Sequence, residues 1–216
     1  MQWFKSVLGW VGDVLAPLHC AACNEALTTR ALLCPACAST VVRWTGDGKP
    51  MAFCHYGGAL ASTLLRLKYG NRPDLGPVLG QLLCPVVLSH VSAGDVDVVV
   101  PIPVPYDRLI ERGYNQAALI ARPLAAALSA PLGARILRRN AASVKQASLN
   151  RRDRLTNLQG AFSLRDERSV EGKRVLLVDD VTTTGATLAA CQALMERAGA
   201  RCVDSVVVAR TESKGL

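Results

Sequence analysis

Two groups of residues in this chain have the types and spacing to do chemistry. The first runs from Lys173 to Thr187, where four apolar residues, Val175 to Val178, lead into Asp179 and Asp180 and then into Thr182, Thr183, Thr184, Gly185, Ala186 and Thr187. Backbone amides at a helix start carry partial positive charge and no bulk, so a phosphate can sit against them while threonine hydroxyls complete its shell. Carboxylates repel a phosphate. Asp179 and Asp180 suit instead the hydroxyls of a sugar, or a metal ion, placed beside it. One ligand needs all of this together: a ribose 5-phosphate unit with its 2- and 3-hydroxyls free. No Gly-Lys-Ser/Thr follows the glycine, so this is not a P-loop.

The second group is Cys20-x-x-Cys23 followed, after ten residues, by Cys34-x-x-Cys37. Two such turns can bring four thiolates to one tetrahedral ion, with zinc as the first reading and a structural role, because four thiolates leave no open position. Two disulfides, an iron–sulfur cluster or an empty, degenerate knuckle are the alternatives. His19 adjoins the first cysteine, and the four-thiol count makes it a bystander. Cys54, Cys84, Cys191 and Cys202 show no pairing pattern and read as core.

The elements that must position these groups follow from periodicity. Val175–Val178 has the length and branching of a strand buried on both faces, ending at the two aspartates, and 186–199 reads as a helix closed by Gly199. Val96 to Val100 is expected as the first strand of the same sheet, stopped by prolines at 101, 103 and 105, with a further strand at 52–56 and a last one at 203–209. Leucines at helical spacing give a helix over 58–67, and 75–91 is a second, interrupted near Pro85. Arg112-Gly113-Tyr114-Asn115-Gln116 leads into a helix to Leu128 in which Pro123 is tolerable only as a kink or an early turn. Arg112, beside a glycine turn near the sheet's carboxyl edge, is a candidate phosphate ligand. In an open parallel sheet, ligands gather at that edge.

With 216 residues, 50% hydrophobic and 19% charged, the chain can bury a substantial core, and one α/β domain with a small appendage is the natural count. The turn-rich stretch 43–50 divides residues 1–45, an N-terminal helix and cysteine knuckle, from residues 51–216. The formal charge of +8 points to an anionic ligand or partner. Between Arg135 and Arg154 seven basic residues stand against one acid, Asp153, so this segment holds six of the eight net charges. Residues 135–162 as a whole have few apolar residues to pin them and are expected as a mobile loop over the site. No run of 18 apolar residues exists, so nothing is expected to insert stably in a membrane; residues 3–16 place Phe4, Val7, Leu8, Val11, Val14 and Leu15 on one helical stripe, a docking helix.

The stretch from Val175 to Thr187 resembles the phosphoribosyl-pyrophosphate (PRPP) signature of type I phosphoribosyltransferases. Together with the paired Cys-x-x-Cys knuckle, Lys68-Tyr69, Val100-Pro101-Ile102-Pro103 and Arg112-Gly113-Tyr114-Asn115-Gln116, it resembles the ComF/GntX family of bacterial competence proteins over nearly the entire chain. Ser143, Gln146, Leu149, Arg154, Asn157 and Ala161-Phe162 also match, with Ser143 where threonine is usual and Thr182 where tyrosine is common. The resemblance implies a type I phosphoribosyltransferase-like α/β fold, a parallel sheet flanked by helices, with a small N-terminal four-cysteine zinc module. It implies a cytoplasmic protein that binds PRPP with Mg²⁺ and handles single-stranded DNA during natural competence, with a DNA-translocation helicase as a partner. Asp179 and Asp180 would hold the ribose hydroxyls, Thr182 to Thr187 the 5-phosphate, and Pro101 to Pro105 would touch pyrophosphate through the backbone. Lys68 would lie near the anionic ligand. If the protein is instead an active transferase, Arg112, Lys145 and Arg152 are the candidates for stabilising departing pyrophosphate.

Overall fold

A computed structural model describes residues 19–29, 31–140 and 160–211. The expected helix at 3–16 and the centre of the basic segment, with Lys145 and Arg152, lie outside them. In chain order the elements are α1 (Pro35–Ala38), β1 (Met51–His55), α2 (Gly58–Tyr69), α3 (Leu75–Leu88), β2 (Val98–Pro101), α4 (Tyr106–Arg112), α5 (Gln116–Ala127), β3 (Leu137–Arg139), β4 (Phe162–Leu164), β5 (Arg174–Thr182), α6 (Ala186–Arg197) and β6 (Cys202–Arg210).

The strands β1, β6, β5 and β2 lie side by side in that order, all parallel, and β3 pairs antiparallel with β4 in a separate ribbon. Parallel strands are buried on both faces, which is why β5 and β6 read as continuous apolar runs. On one face Leu176, Val178, Val206 and Val208 pack with Leu60, Leu64, Leu79, Leu83, Ile120 and Leu124 of α2, α3 and α5. On the other, Val175, Leu177, Val203 and Val207 pack with Leu188, Cys191 and Met195 of α6 and with Leu137 and Phe162 of the ribbon. The fold class expected from sequence is the one observed.

Several details differ. The segment expected as the sheet's first strand is an edge strand, β2, bonded to β5 alone in the sheet, and β1 forms the other edge. That edge position is what allows Pro101 to end β2 without breaking a ladder on both sides. α3 continues through Pro85 and α5 through Pro123. A proline costs a helix about 3 kcal/mol, while Leu83 and Val87 beside the first, and Ile120 and Leu124 beside the second, are fully buried and each contribute about 1.5–3 kcal/mol. Cys202 is exposed at the start of β6 and Cys84 is half-buried, so only Cys54 and Cys191 of the four unpaired cysteines are core.

The α3–α5 contact depends on two glycines. A Cβ on Gly76 would collide with Leu119, and one on Gly80 with the Ile120 carbonyl oxygen, so the helices approach to backbone contact. Gly80→Ala would force them apart and is expected to destabilise the protein by about 1–3 kcal/mol, despite alanine's better helix propensity. Urea denaturation measures it; a neutral or stabilising result would mean that the crossing relaxes freely.

Candidate functional site at the carboxyl edge of the sheet

Strand β5 runs four residues further than the apolar core requires. It pairs with β6 through Asp179↔Val207 and Thr182↔Arg210, so the two aspartates lie inside the strand and the loop starts only at Thr183. Side chains alternate along a strand, which places Asp180 on the face of Leu176 and Val178 and Asp179 on the face of Val175 and Leu177. Each carboxylate also turns toward the following residue. The Asp180 amide donates to Asp179 Oδ1 at 2.8 Å, and the Val181 amide donates to Asp180 Oδ1 at 2.7 Å.

Asp180 meets α2. Its Oδ2 lies 2.8 Å from Lys68 Nζ, with the aspartate side chain 5% exposed and the lysine 23%. That oxygen makes no directed hydrogen bond, so the ammonium compensates it by charge. Lys68 shares a cleft of about 440 Å³ with Tyr69, Asn71, Glu111, Arg112 and Tyr114. Arg112 ends α4, donates to Gln116 Oε1 at 3.0 Å and lies 5.0 Å from the centre of the Tyr69 ring. Gly113 follows in the left-handed region (φ +77), and Asn115 caps α5 by accepting from the Ala117 amide while its Nδ2 donates to Ile102 O. Asn115 thus fixes the turn carrying Arg112 to the exit of β2.

The hydroxyl loop Thr182–Gly185 opens on a second cleft of about 330 Å³, and Ala186 and Thr187 begin α6. Gly185 has φ +76, a conformation that costs other residues about 1–2 kcal/mol. The loop amides are not all open, as the sequence alone would have them. The Gly185 amide donates to Thr182 Oγ1 at 3.0 Å and the Ala186 amide to Thr184 Oγ1 at 3.4 Å. A further cavity of about 520 Å³ lies elsewhere, between residues 43–49 and the end of α3 at the amino edge of β1, and contains none of the expected site residues.

The knuckle packs against α2 as well, with Arg66 in the helix's last turn donating to Cys20 O and Ala21 O. The Sγ atoms of Cys20, Cys23, Cys34 and Cys37 all lie within 4.8 Å of one another, and Cys23 and Cys34 are 3.8 Å apart. A tetrahedral ion with metal–sulfur bonds of about 2.3 Å needs sulfurs roughly 3.8 Å apart. The set therefore fits a metal such as zinc; none of the four is in a disulfide, and His19 is not among the clustered ligands. Burial raises Cys20, but amide donors at Cys23, Cys34 and Ala22 outweigh it and bring the thiol down to about 6, whereas burial and the neighbouring sulfurs push Cys37 up to about 12.

Residues 114–216 match the model of the phosphoribosyl transferase domain. DNA utilization protein YhgH of Escherichia coli (strain K12) is 30% identical to this chain over 89% of it and 90% of the relative. Competence protein F of Haemophilus influenzae is 31% identical over 84% of this chain and 80% of the relative. This chain belongs to the ComF family. Among solved structures, the Bacillus subtilis glutamine PRPP amidotransferase complexed with ADP and GMP aligns with 63% of the chain and 26% of its own, at 25% identity and a TM-score of 0.41.

In this ComF protein, then, Lys68 pairs with Asp180 and shares a cleft with Arg112, the threonine loop follows Asp180 along the chain, and Lys145 and Arg152 fall outside the described residues. Sequence reasoning missed Trp44, Lys49 and Arg210, which face the threonine loop across the second cleft. A basic residue closing the strand next to the aspartate strand was the available signal for Arg210. No helix among the described residues is long and apolar enough to cross a membrane.

Burial of its carboxyl, and then the adjacent Asp180 carboxylate, push Asp179 up to about 8. The folded protein therefore keeps a proton that the unfolded chain releases near its ordinary value of 3.8. Between those values the native state binds more protons, so this group's contribution to stability falls as pH rises from about 4 to about 8 and is level above that. Asp179→Asn is expected to flatten that slope in denaturation midpoints compared at about pH 5 and pH 8. A slope unchanged by the substitution would place the titration on another group.

Proposed function

We propose that this protein binds PRPP at the carboxyl edge of β5 and handles single-stranded DNA during DNA uptake in natural competence. The observation that carries the reading is the sequence of groups delivered to one edge: the Lys68–Asp180 ion pair, Asp179, and a hydroxyl loop that enters α6. Asp179 and Asp180 would accept from the ribose hydroxyls, Thr182, Thr183, Thr184, Gly185, Ala186 and Thr187 would hold the 5-phosphate, and Lys68 and Arg112 would face the pyrophosphate. Magnesium bound with PRPP would offset pyrophosphate charge, and the aspartates are oxygen donors of the kind it takes. Zinc would hold the knuckle of the 1–45 unit through Cys20, Cys23, Cys34 and Cys37, and residues 51–216 would be the PRPP-binding unit.

The DNA role draws support from the names of the relatives and from the basic segment, of which Arg135, Arg138 and Arg139 are described. Phosphates would engage this segment, in the cytoplasm and alongside a DNA-translocation helicase. A second reading keeps the same site and makes the protein a transferase in which Arg112, Lys145 and Arg152 stabilise departing pyrophosphate.

Calorimetry with PRPP and Mg²⁺ tests the site, with binding expected for the native chain and lost in Asp179→Asn/Asp180→Asn. Single-stranded oligonucleotide affinity against salt tests the DNA role: when Arg138, Arg139, Arg151 and Arg152 are neutralised, the logarithmic slope should drop by about 0.7 for each phosphate that no longer has a cationic partner. A salt-insensitive interaction would reject it. Pyrophosphate release with a panel of bases and amines would favour the transferase.

A further inference from the structure

The cleft beside the threonine loop has a second wall built from segments that carry no role so far: Trp44, Lys49 and Pro50 from the link before β1, and Arg210 and Thr211 from the end of β6. Thr182 and Arg210 are partners in register, and the Thr211 amide donates to Thr182 O at 3.0 Å, so neighbouring strands deliver the loop and this guanidinium to the same edge. Arg210 is held in place. Its Nη1 donates to Gly48 O and Pro50 O, both at 3.2 Å, and its guanidinium carbon lies 4.3 Å from the centre of the Trp44 ring.

Among the described residues no carboxylate forms an ion pair with Arg210, whereas Lys49, the other cation of the cleft, is paired with Asp204. The hydrogen bonds of Arg210 within the described residues use Nη1 alone, which leaves Nε and Nη2 as donors, and neither is a buried orphan. Across the cleft, the Gly185 and Ala186 amides already donate to threonine hydroxyls, so the loop has fewer free donors for an anion than its sequence promises. A guanidinium oriented by two carbonyls and an indole, facing that loop, supplies donors and charge together.

We propose that Arg210, presented by the Trp44–Pro50 link, is a further phosphate-binding residue, and that the group it takes with Thr182–Gly185 is a phosphate monoester, the 5-phosphate of the pentose. This rests on the PRPP reading of the site. It also makes the link from the cysteine knuckle part of the pocket wall, and it makes Trp44 a reporter, because an anion drawing on Arg210 alters the cation stacked on that ring.

Trp3→Phe/Trp10→Phe leaves Trp44 as the sole indole of the three in the chain. Titration of that protein with ribose 5-phosphate is expected to give a saturable fluorescence change, and ribose none. Arg210→Gln is expected to weaken PRPP and ribose 5-phosphate binding by about tenfold to a hundredfold, with Arg210→Lys between, as for loss of one charged hydrogen-bonding partner. Native affinity for PRPP in Arg210→Gln, or a silent Trp44 in the protein that retains Arg210, would overturn the proposal; PRPP binding by the native chain would still leave the wider reading intact. Absence of PRPP binding by the native chain would remove both. A single-stranded oligonucleotide without a terminal phosphate is the remaining arm. If it displaces ribose 5-phosphate from the cleft, the cleft belongs to a nucleic-acid backbone and the monoester assignment is wrong; no competition supports it.

Discussion

Lys68→Met is expected to destabilise the protein by about 3–5 kcal/mol, the range for breaking a buried ion pair from one side. Methionine keeps most of the aliphatic stem, so the loss isolates the charge. What remains is an aspartate 5% exposed whose Oδ2 had no directed hydrogen bond and relied on the ammonium at 2.8 Å. The double variant Lys68→Met/Asp180→Asn should recover much of the loss, because neither charge is then stranded. Urea denaturation of the native chain, both single variants and the double variant closes the cycle. A single-variant loss under about 1 kcal/mol would mean that water reaches the pair, as in a surface salt bridge. PRPP affinity should fall in the same variant, since the lysine lines the cleft shared with Arg112.

Removing the metal is expected to have the other large effect. The knuckle offers little apolar burial of its own beyond Ala21 and its cysteines, with Leu32 and Leu33 resting partly on the main core. Segments of this kind take their folding energy from the ion, about 10–16 kcal/mol of apparent binding energy in zinc-finger peptides. Protein purified without added metal should carry one equivalent of zinc. A strong chelator, or Cys23→Ser, should lower the melting temperature and open residues 20–40 to proteolysis. Less than half an equivalent, or a melting curve indifferent to the chelator, would exclude zinc from holding this module.

The parallel sheet and the order of its two central chemical blocks were legible because buried parallel strands and helix-start loops leave local marks, as in Val175–Val178 and Thr182–Gly185. Other features were hidden for physical reasons. Whether β5 stopped at the aspartates depended on its partner, because the pairing of Thr182 with Arg210 extends the strand past the apolar run. The helices pass through Pro85 and Pro123 because burial on both sides outweighs one missing hydrogen bond, and no local propensity carries that information. Resemblance alone places Lys68 at the site; its contact with Asp180 spans more than a hundred residues and has no periodic signal. The wall formed by Trp44, Lys49 and Arg210 joins three distant segments, which only the packed chain brings together.

Helix α2 is clasped at both ends by the residues that precede the sheet. Thr40 Oγ1 accepts from the Ala59 amide at its start. At its close Arg66 donates to Cys20 O, Ala21 O and Asn24 Oδ1, the next residue's carbonyl accepts from Tyr114, and Lys68 reaches Asp180. A fragment starting at residue 51 would retain every strand yet leave this helix uncapped at one end and its arginine unanchored at the other. The chain can be divided by composition, but a shortened protein would misplace the lysine whose charge compensates buried Asp180.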